Sequence, residues 1–268
     1  MVVDWGENCG VHILNMNLEY LQSIKFEETI AAAISVFRDG IVGILQNEKL
    51  SLYKKILLEN NNFRYEKVRD IPIERMRFKG NSFLGLCQDS ADGIYFIEKI
   101  SNTFGKFTNN YKNFKTKKME LPNNLEKEKA GIHDLKIFDE KLFINDYKFR
   151  WNNNRGYSGN DCIHVFDTNM NYLTNFGLNQ VEQPKCLAFM YNTENMMNIY
   201  VCEGKKKGSY KIFNEKYELE ETVLLKDSEF PSYMCHFNEK LLWTQGNPDF
   251  PSNKLYCYLN YNLNSNKE

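Results

Sequence analysis

A chain of 268 residues, 42% of them apolar, is long enough to bury a real core as one large domain or two small ones. A formal net charge of −1 removes any global pull toward nucleic acid or an anionic membrane. No apolar run reaches the length of a membrane span, and the N-terminus MVVDWGENCG lacks the charged-then-apolar order of a signal peptide.

The seven cysteines are scattered without a CxxC pair, which favours reduced thiols over a disulfide framework. The 16 Tyr and 19 Phe suit pleated, half-buried surfaces better than helices. These features predict a cytoplasmic monomer with no membrane association and no cofactor.

In chain order, Val2–Trp5 reads as a strand, followed by the segment VHILNMNLEYL from Val11. Ile34–Phe37 and Ile41–Leu45 are strands around the turn RDG, and LYKKILLENNNF begins at Leu52. IYFIEKISNTF begins at Ile94, and the mixed-charge stretch Lys112–Gly131 reads as an inserted surface loop. Leu135–Phe138 and Leu142–Asn145 flank the turn DEK, and a long loop follows Asn145. IHVFDTNMNYL begins at Ile163 and YKIFNEKYELE at Tyr210. Met234–Phe237 and Leu241–Thr244 flank NEK, and LYCYLNYNL closes the series at Leu255. No helix longer than a turn or two is expected: Ala31–Ala33 is too short, and Leu125–Ala130 sits on a loop.

Internal repetition organises these elements. VHILNMNLEYL and IHVFDTNMNYL share His, Asn, Tyr and Leu at the same offsets, and YKIFNEKYELE is a looser copy. With the copies at Leu52, Ile94 and Leu255, the period is about 41–47 residues with one longer step, the span of a four-stranded propeller blade. Each copy supplies two strands around a polar turn, and the paired segments between copies supply two more. The fold class that follows is an all-β β-propeller of six four-stranded blades, with five as the alternative count. The first blade lacks its innermost strand.

The stretch NDCIHVFDTNMNYLTNFGLNQVEQPKCLAF, Asn160–Phe189, resembles an NHL repeat through Ile163, Val165, Phe166, Asp167, Phe176, Gly177 and Pro184. The resemblance covers one to two blades. It implies an interaction propeller, and NHL propellers include RNA binders that use a basic face.

Three constellations carry chemistry. The loop NDYKFRWNNNRGYSGND holds Lys148, Phe149, Arg150, Trp151, Arg155 and Tyr157, and the next blade's loop EGKKKGS holds Lys205, Lys206 and Lys207. Both join the second and third strands of neighbouring blades, which puts them on one face. Cations there neutralise phosphate and aromatics stack on bases, while Trp, Tyr and Arg equally anchor protein interfaces. The plainer reading is a solvated lysine run beside a loop packed down by its own aromatics.

The second constellation is His133 with Asp134, and His236, on strands expected to line a central channel, where they could share a metal. The spacing carries no HxxxH or HExxH pattern, so a structural role is the plainer reading. His12 and His164 recur at one repeat position and read as packing residues. The third is Cys186, a candidate thiol with no base beside it in the sequence. A protein partner bound through the loop face is the leading expectation, with single-stranded RNA second and a metal-dependent hydrolase or lyase third.

Overall fold

The computed structural model describes residues 2–4, 10–15, 19–25, 33–46, 49–59, 62–73, 83–98, 101–108, 111–122, 132–146, 161–192, 194–204, 208–225, 231–237, 240–247 and 250–259. These form 22 strands and no α-helix among the described residues. All registered pairings are antiparallel between chain neighbours, so each sheet is a simple meander.

The first sheet is β1 (Val2–Asp4), β2 (Gly10–Leu14) and β3 (Tyr20–Lys25). The second is β4 (Ala33–Val36), β5 (Val42–Leu45), β6 (Lys49–Leu57) and β7 (Phe63–Pro72). The third is β8 (Phe83–Gln88), β9 (Ile94–Glu98), β10 (Thr103–Thr108) and β11 (Asn113–Lys118). The fourth is β12 (Ile132–Phe138), β13 (Lys141–Asp146), β14 (Cys162–Asp167) and β15 (Tyr172–Phe176). The fifth is β16 (Pro184–Tyr191), β17 (Met197–Glu203), β18 (Ser209–Phe213) and β19 (Leu219–Leu224). The sixth is β20 (Pro231–Phe237), β21 (Lys240–Asn247) and β22 (Phe250–Leu259).

The four strands of a full sheet are called A to D in chain order. The first sheet supplies B, C and D only, because its register copies that of the fourth. Val2 pairs with His12 as Ile144 pairs with His164, and His12 pairs with Ser23 as His164 pairs with Asn175. His12 and His164 therefore hold one position, as the repeat predicts.

A second feature fixes that register. The C–D ladder slips by one residue at Ile13/Leu14, Leu52/Tyr53, Val165/Phe166 and Ile212/Phe213. Counted from the B–C pairs, these are one and the same position in four sheets. A β-bulge there sharpens the twist of the outer hairpin before the turn. The turn itself is closed by the residue that ends the C strand. Asn15, Asp167 and Asn214 each accept from backbone amides across the turn, as in Asn171 N–H to Asp167 Oδ1 at 2.7 Å and Glu218 N–H to Asn214 Oδ1 at 3.0 Å. This is the side-chain-to-backbone turn that Asn and Asp form readily.

The third sheet departs from the expectation. IYFIE is strand B, not C: Ile94–Glu98 is β9, and the residue equivalent to His164 is Gly105 on β10. A Cβ at Gly105 would collide with the ring of Phe96 beneath it. Part of the expected 112–131 insertion is likewise corrected. Asn113–Lys118 is strand D of this sheet, while 123–131 lie outside the described residues.

The chain divides into two compact units, Met1–Glu120 with Leu135–Glu140, and Leu121–Asp134 with Lys141–Glu268. The first has a core around Phe37, Leu45, Leu52, Leu86 and Phe96, with Phe96 and Phe114 stacked at 6.0 Å. In the second, Phe143 packs on Phe189 at 4.8 Å and Phe176 stacks on Tyr217 at 4.9 Å.

Asp167→Ala removes the carboxylate oxygen that accepts from the Asn169 and Asn171 amides, and the bond from Asn171 Nδ2 at 2.8 Å. It should cost about 1–2 kcal/mol in chemical denaturation, a typical sum for partly exposed hydrogen bonds. Asn169→Ala in the same turn should stay within about 0.5 kcal/mol. Equal effects would show that the turn is not held by Asp167.

Candidate functional site

Strand B is buried along its length in every four-stranded sheet, as the patterns of β5, β9, β13 and β17 show. Each such run closes on a polar side chain that is itself buried: Gln46, Glu98, Asp146 and Glu203. Their positions correspond, since each lies two residues beyond the B residue paired with Ser51, Gly105, His164 or Lys211. A buried acceptor must find a donor, and strand C or the turn before it supplies one. Ser51 Oγ donates to Gln46 Oε1 at 2.9 Å, and the Ser101 amide to Glu98 Oε2 at 2.5 Å. His164 Nε2 meets Asp146 Oδ2 at 3.1 Å, and Ser209 Oγ donates to Glu203 Oε2 at 2.5 Å.

These corners are the roots of the loops singled out in the sequence. The loop 147–160 leaves from Asp146 and returns at Asp161, and the loop 205–207 runs from Gly204 to Gly208. Lys148, Arg150, Trp151, Arg155, Tyr157 and Lys205–Lys207 themselves lie outside the described residues. Their roots do meet, at one residue of the segment that joins β15 to β16. Gln183 N–H donates to Asp161 Oδ2 at 2.7 Å, and Gly204 N–H donates to the Gln183 carbonyl at 2.9 Å. Next to it, Glu182 N–H donates to Glu203 Oε1 at 2.8 Å. The far root is tied as well, with Leu225 N–H on the Gly208 carbonyl at 2.9 Å. Gln183 adopts φ +52°, in the left-handed region that a non-glycine residue enters at some cost. The bonds on both sides of it hold it there.

Glu203 is the electrostatic centre of this arrangement. Burial pushes its carboxyl above the ordinary range, against the pull of the Ser209 hydroxyl and of Lys211, whose Nζ lies 3.7 Å from Oε1. Nearby Asp161 adds to the upward push.

His164 sits in a second polar knot with Asp146 and Cys162, all buried. Cys162 Sγ lies 3.6 Å from Nε2 and 3.8 Å from Nδ1, so it approaches the ring edge between the nitrogens, not along one lone pair. A thiol with no exposed surface meets no substrate, and this knot reads as packing. His12 has the same part in the first sheet, 2.7 Å from Ser23 Oγ and edge-on to Tyr20 as His164 is tilted against Tyr172. Cys186 is fully buried on β16, opposite Cys202, and neither is in a disulfide.

Of the candidate metal ligands, Asp134 is buried on β12, while the side chains of His133 and His236 lie outside the described residues. Among the described residues no group of three or more His, Cys, Asp or Glu is arranged to hold a metal ion. In the first unit the A strands β4, β8 and β12 line an open cleft of 340 Å³, with Arg38, Gln88 and Lys136 on its wall. The turns at its rim are linked, since the Arg38 amide donates to Gln88 Oε1 at 2.8 Å and Arg38 Nη1 to the Ser90 carbonyl at 2.7 Å.

The roots carry no signal that the sequence reading used. The signal for the acceptors was present as a polar residue closing each apolar run, in VGILQ, IYFIE, LFIND and IYVCE.

No family model matches the chain, and no curated protein matches it. Solved structures do. Virginiamycin B lyase from Staphylococcus aureus is 10% identical over 93% of this chain and 77% of its own, with a TM-score of 0.54. A chain in the crystal structure of BBS1N in complex with ARL6DN is 12% identical over 90% of this chain and 70% of its own, with a TM-score of 0.57. A chain of the nidogen/laminin complex is 13% identical over 89% and 82%, with a TM-score of 0.55. These neighbours are β-propellers, and likeness at such identities speaks for the fold. The chain is an all-β protein with the β-propeller fold.

The Glu203 carboxyl yields a pH test. A carboxyl raised in the folded state contributes its full stability below its unfolded value of 4.5 and loses it as pH rises through the folded value. Glu203→Gln keeps the acceptor for Glu182 N–H without the charge. Its stability relative to the parent chain should therefore be more favourable at about pH 7 than at about pH 4, measured by urea denaturation at both. The opposite trend would mean that Glu203 is stabilised as the anion.

Proposed function

We propose that this chain is an NHL-like, non-catalytic propeller module that binds a protein partner through the face on which the loops 147–160 and 205–207 open. The observation that carries the reading is the double tether at Gln183, which joins the roots of both loops through single hydrogen bonds. Loops rooted together present their side chains as one surface, and these loops hold Trp151, Tyr157, Arg150 and Arg155, the residue types that dominate interface energetics. Lys148 and Lys205–Lys207 give that surface a positive rim, which steers an acidic partner.

Two of the similar propellers were solved together with protein partners, BBS1N with ARL6DN and nidogen with laminin. The likeness to a lyase carries no residue of its chemistry to this chain. The buried cysteines Cys87, Cys162, Cys186 and Cys202, none of them in a disulfide, fit a reducing compartment, and a cytoplasmic location belongs to the proposal.

The test uses the intact chain as bait, then titrates the partner it captures. Trp151→Ala should weaken that complex by about 1.4 kcal/mol or more, a factor of about ten, with a shallow salt dependence. Replacing Lys205, Lys206 and Lys207 together by Ala should mainly slow association. A single-stranded oligouridine serves as the competing probe. Tight binding to it that falls steeply with salt, and that the triple lysine variant flattens, would replace the protein partner with RNA.

A further inference from the structure

The D strands form the outer edges of the sheets, and two of them carry opposite charge. The edge of the third sheet, β11, reads NFKTKK and presents Lys115, Lys117 and Lys118, with Lys112 just before it. The edge of the fifth sheet, β19, reads LEETVL and presents Glu220 and Glu221, with Glu215 and Glu218 in the turn before it. Neither Lys115, Lys118 nor Lys112 forms an ion pair among the described residues, and neither Glu220 nor Glu221 does. The contrast is with β7, where Asp70 takes Lys49 at 3.1 Å and Lys67 at 3.3 Å and Arg64 meets Glu66. Strands β3 and β15 hold at most one charged side chain each.

An edge strand offers a row of outward backbone donors and acceptors, and charge decides what pairs with it. Two β11 edges repel one another, as do two β19 edges. A β11 edge and a β19 edge attract, and both are six residues long. We propose that this chain associates with a second copy of itself by laying the acidic strand β19 of one copy along the basic strand β11 of the other. The contact is heterologous, because it joins two different surfaces, so it either closes into a ring or extends the assembly copy by copy. It uses neither loop 147–160 nor loop 205–207, and it replaces the monomer expected from sequence alone.

Sedimentation velocity over a concentration series tests this at about 0.1 M and about 1 M NaCl, between which the screening length falls from about 10 Å to about 3 Å. The parent chain should show mass above the monomer that rises with concentration at low salt and is lost at high salt. Lys115→Glu with Lys118→Glu makes both edges acidic, and Glu220→Lys with Glu221→Lys makes both edges basic. Each variant alone should sediment as a monomer. An equimolar mixture should recover the association, because each variant again meets an oppositely charged edge. The substituted side chains lie on outer strands, and a far-ultraviolet circular dichroism spectrum matching the parent's shows that each variant is folded. A parent chain that stays monomeric at low salt overturns the proposal. So does an association that only one of the two variants abolishes, or a mixture that fails to recover it.

Discussion

A strand buried on both faces must still end, and its last polar side chain must be satisfied where no water reaches it. That constraint governs the B strands here. Gln46, Glu98, Asp146 and Glu203 close four apolar runs, and each is met by a donor on strand C or in the turn before it. Leaving one unmet would cost roughly 1–3 kcal/mol, more for a charged group, a large share of the stability of an ordinary domain. The donor in turn fixes where strand C begins, so a single buried acceptor sets the B–C register and the place from which each loop departs. The candidate face inherits its geometry from this. Asp146 and Glu203 stand at the roots of the two loops, and Gln183 reaches both because those roots are already held.

The outer half of each sheet obeys a different and looser rule. The bulge between strands C and D recurs at one position in four sheets, and an Asn or Asp closes the turn beyond it in three. The third sheet has no such bulge: β10 and β11 pair without a slip from Thr103 to Thr108. In its place Phe96, Phe107 and Phe114 pack as a group, with Phe107 and Phe114 at 4.8 Å. Here aromatic packing does what turn chemistry does elsewhere, and the flat ladder leaves β11 with its lysines along the sheet edge.

That difference explains how far the sequence could be read. Where the bulge and the turn residue are present, the copies VHILNMNLEYL, IHVFDTNMNYL and YKIFNEKYELE align correctly and put His12 on His164. Where the bulge is missing, only hydrophobicity marks the strands, and IYFIE resembles strand C because B and C strands are equally apolar. Gly105 hides the true C strand, since the residue that marks the position elsewhere is replaced there by the ring of Phe96 reaching across. With strand C misplaced, Asn113–Lys118 reads as loop in the sequence and is strand D in the structure. The loop residues of the candidate face are an expectation from composition, and they lie outside the described residues. The link between their roots was not legible, because two of the three bonds at Gln183 and Glu182 end on side chains far away in sequence, and all three are donated by backbone amides that any residue but proline possesses.

The repeat position itself shows why a fold can persist when its sequence does not. His12, Ser51, Gly105, His164 and Lys211 are equivalent by register, yet only the two histidines share a side-chain chemistry. His12 bonds to strand D, Ser51 to Gln46 and also to Asp70, His164 to Asp146, and Lys211 lies against Glu203. Gly105 bonds through no side chain and makes room for a neighbour. The backbone asks of this position only that it leave no buried polar group unmet and no volume unfilled. Any residue that does so with its own neighbours is admitted, provided those neighbours change with it. Substitution therefore proceeds sheet by sheet in coupled sets, and identity is lost while burial pattern, register and hydrogen-bond accounting are kept. The same freedom acts on the edges. Strand β7 pairs Asp70 with two lysines of its own sheet, whereas Lys115 and Lys118 on β11 and Glu220 and Glu221 on β19 form no ion pair among the described residues and are left to be read by another surface.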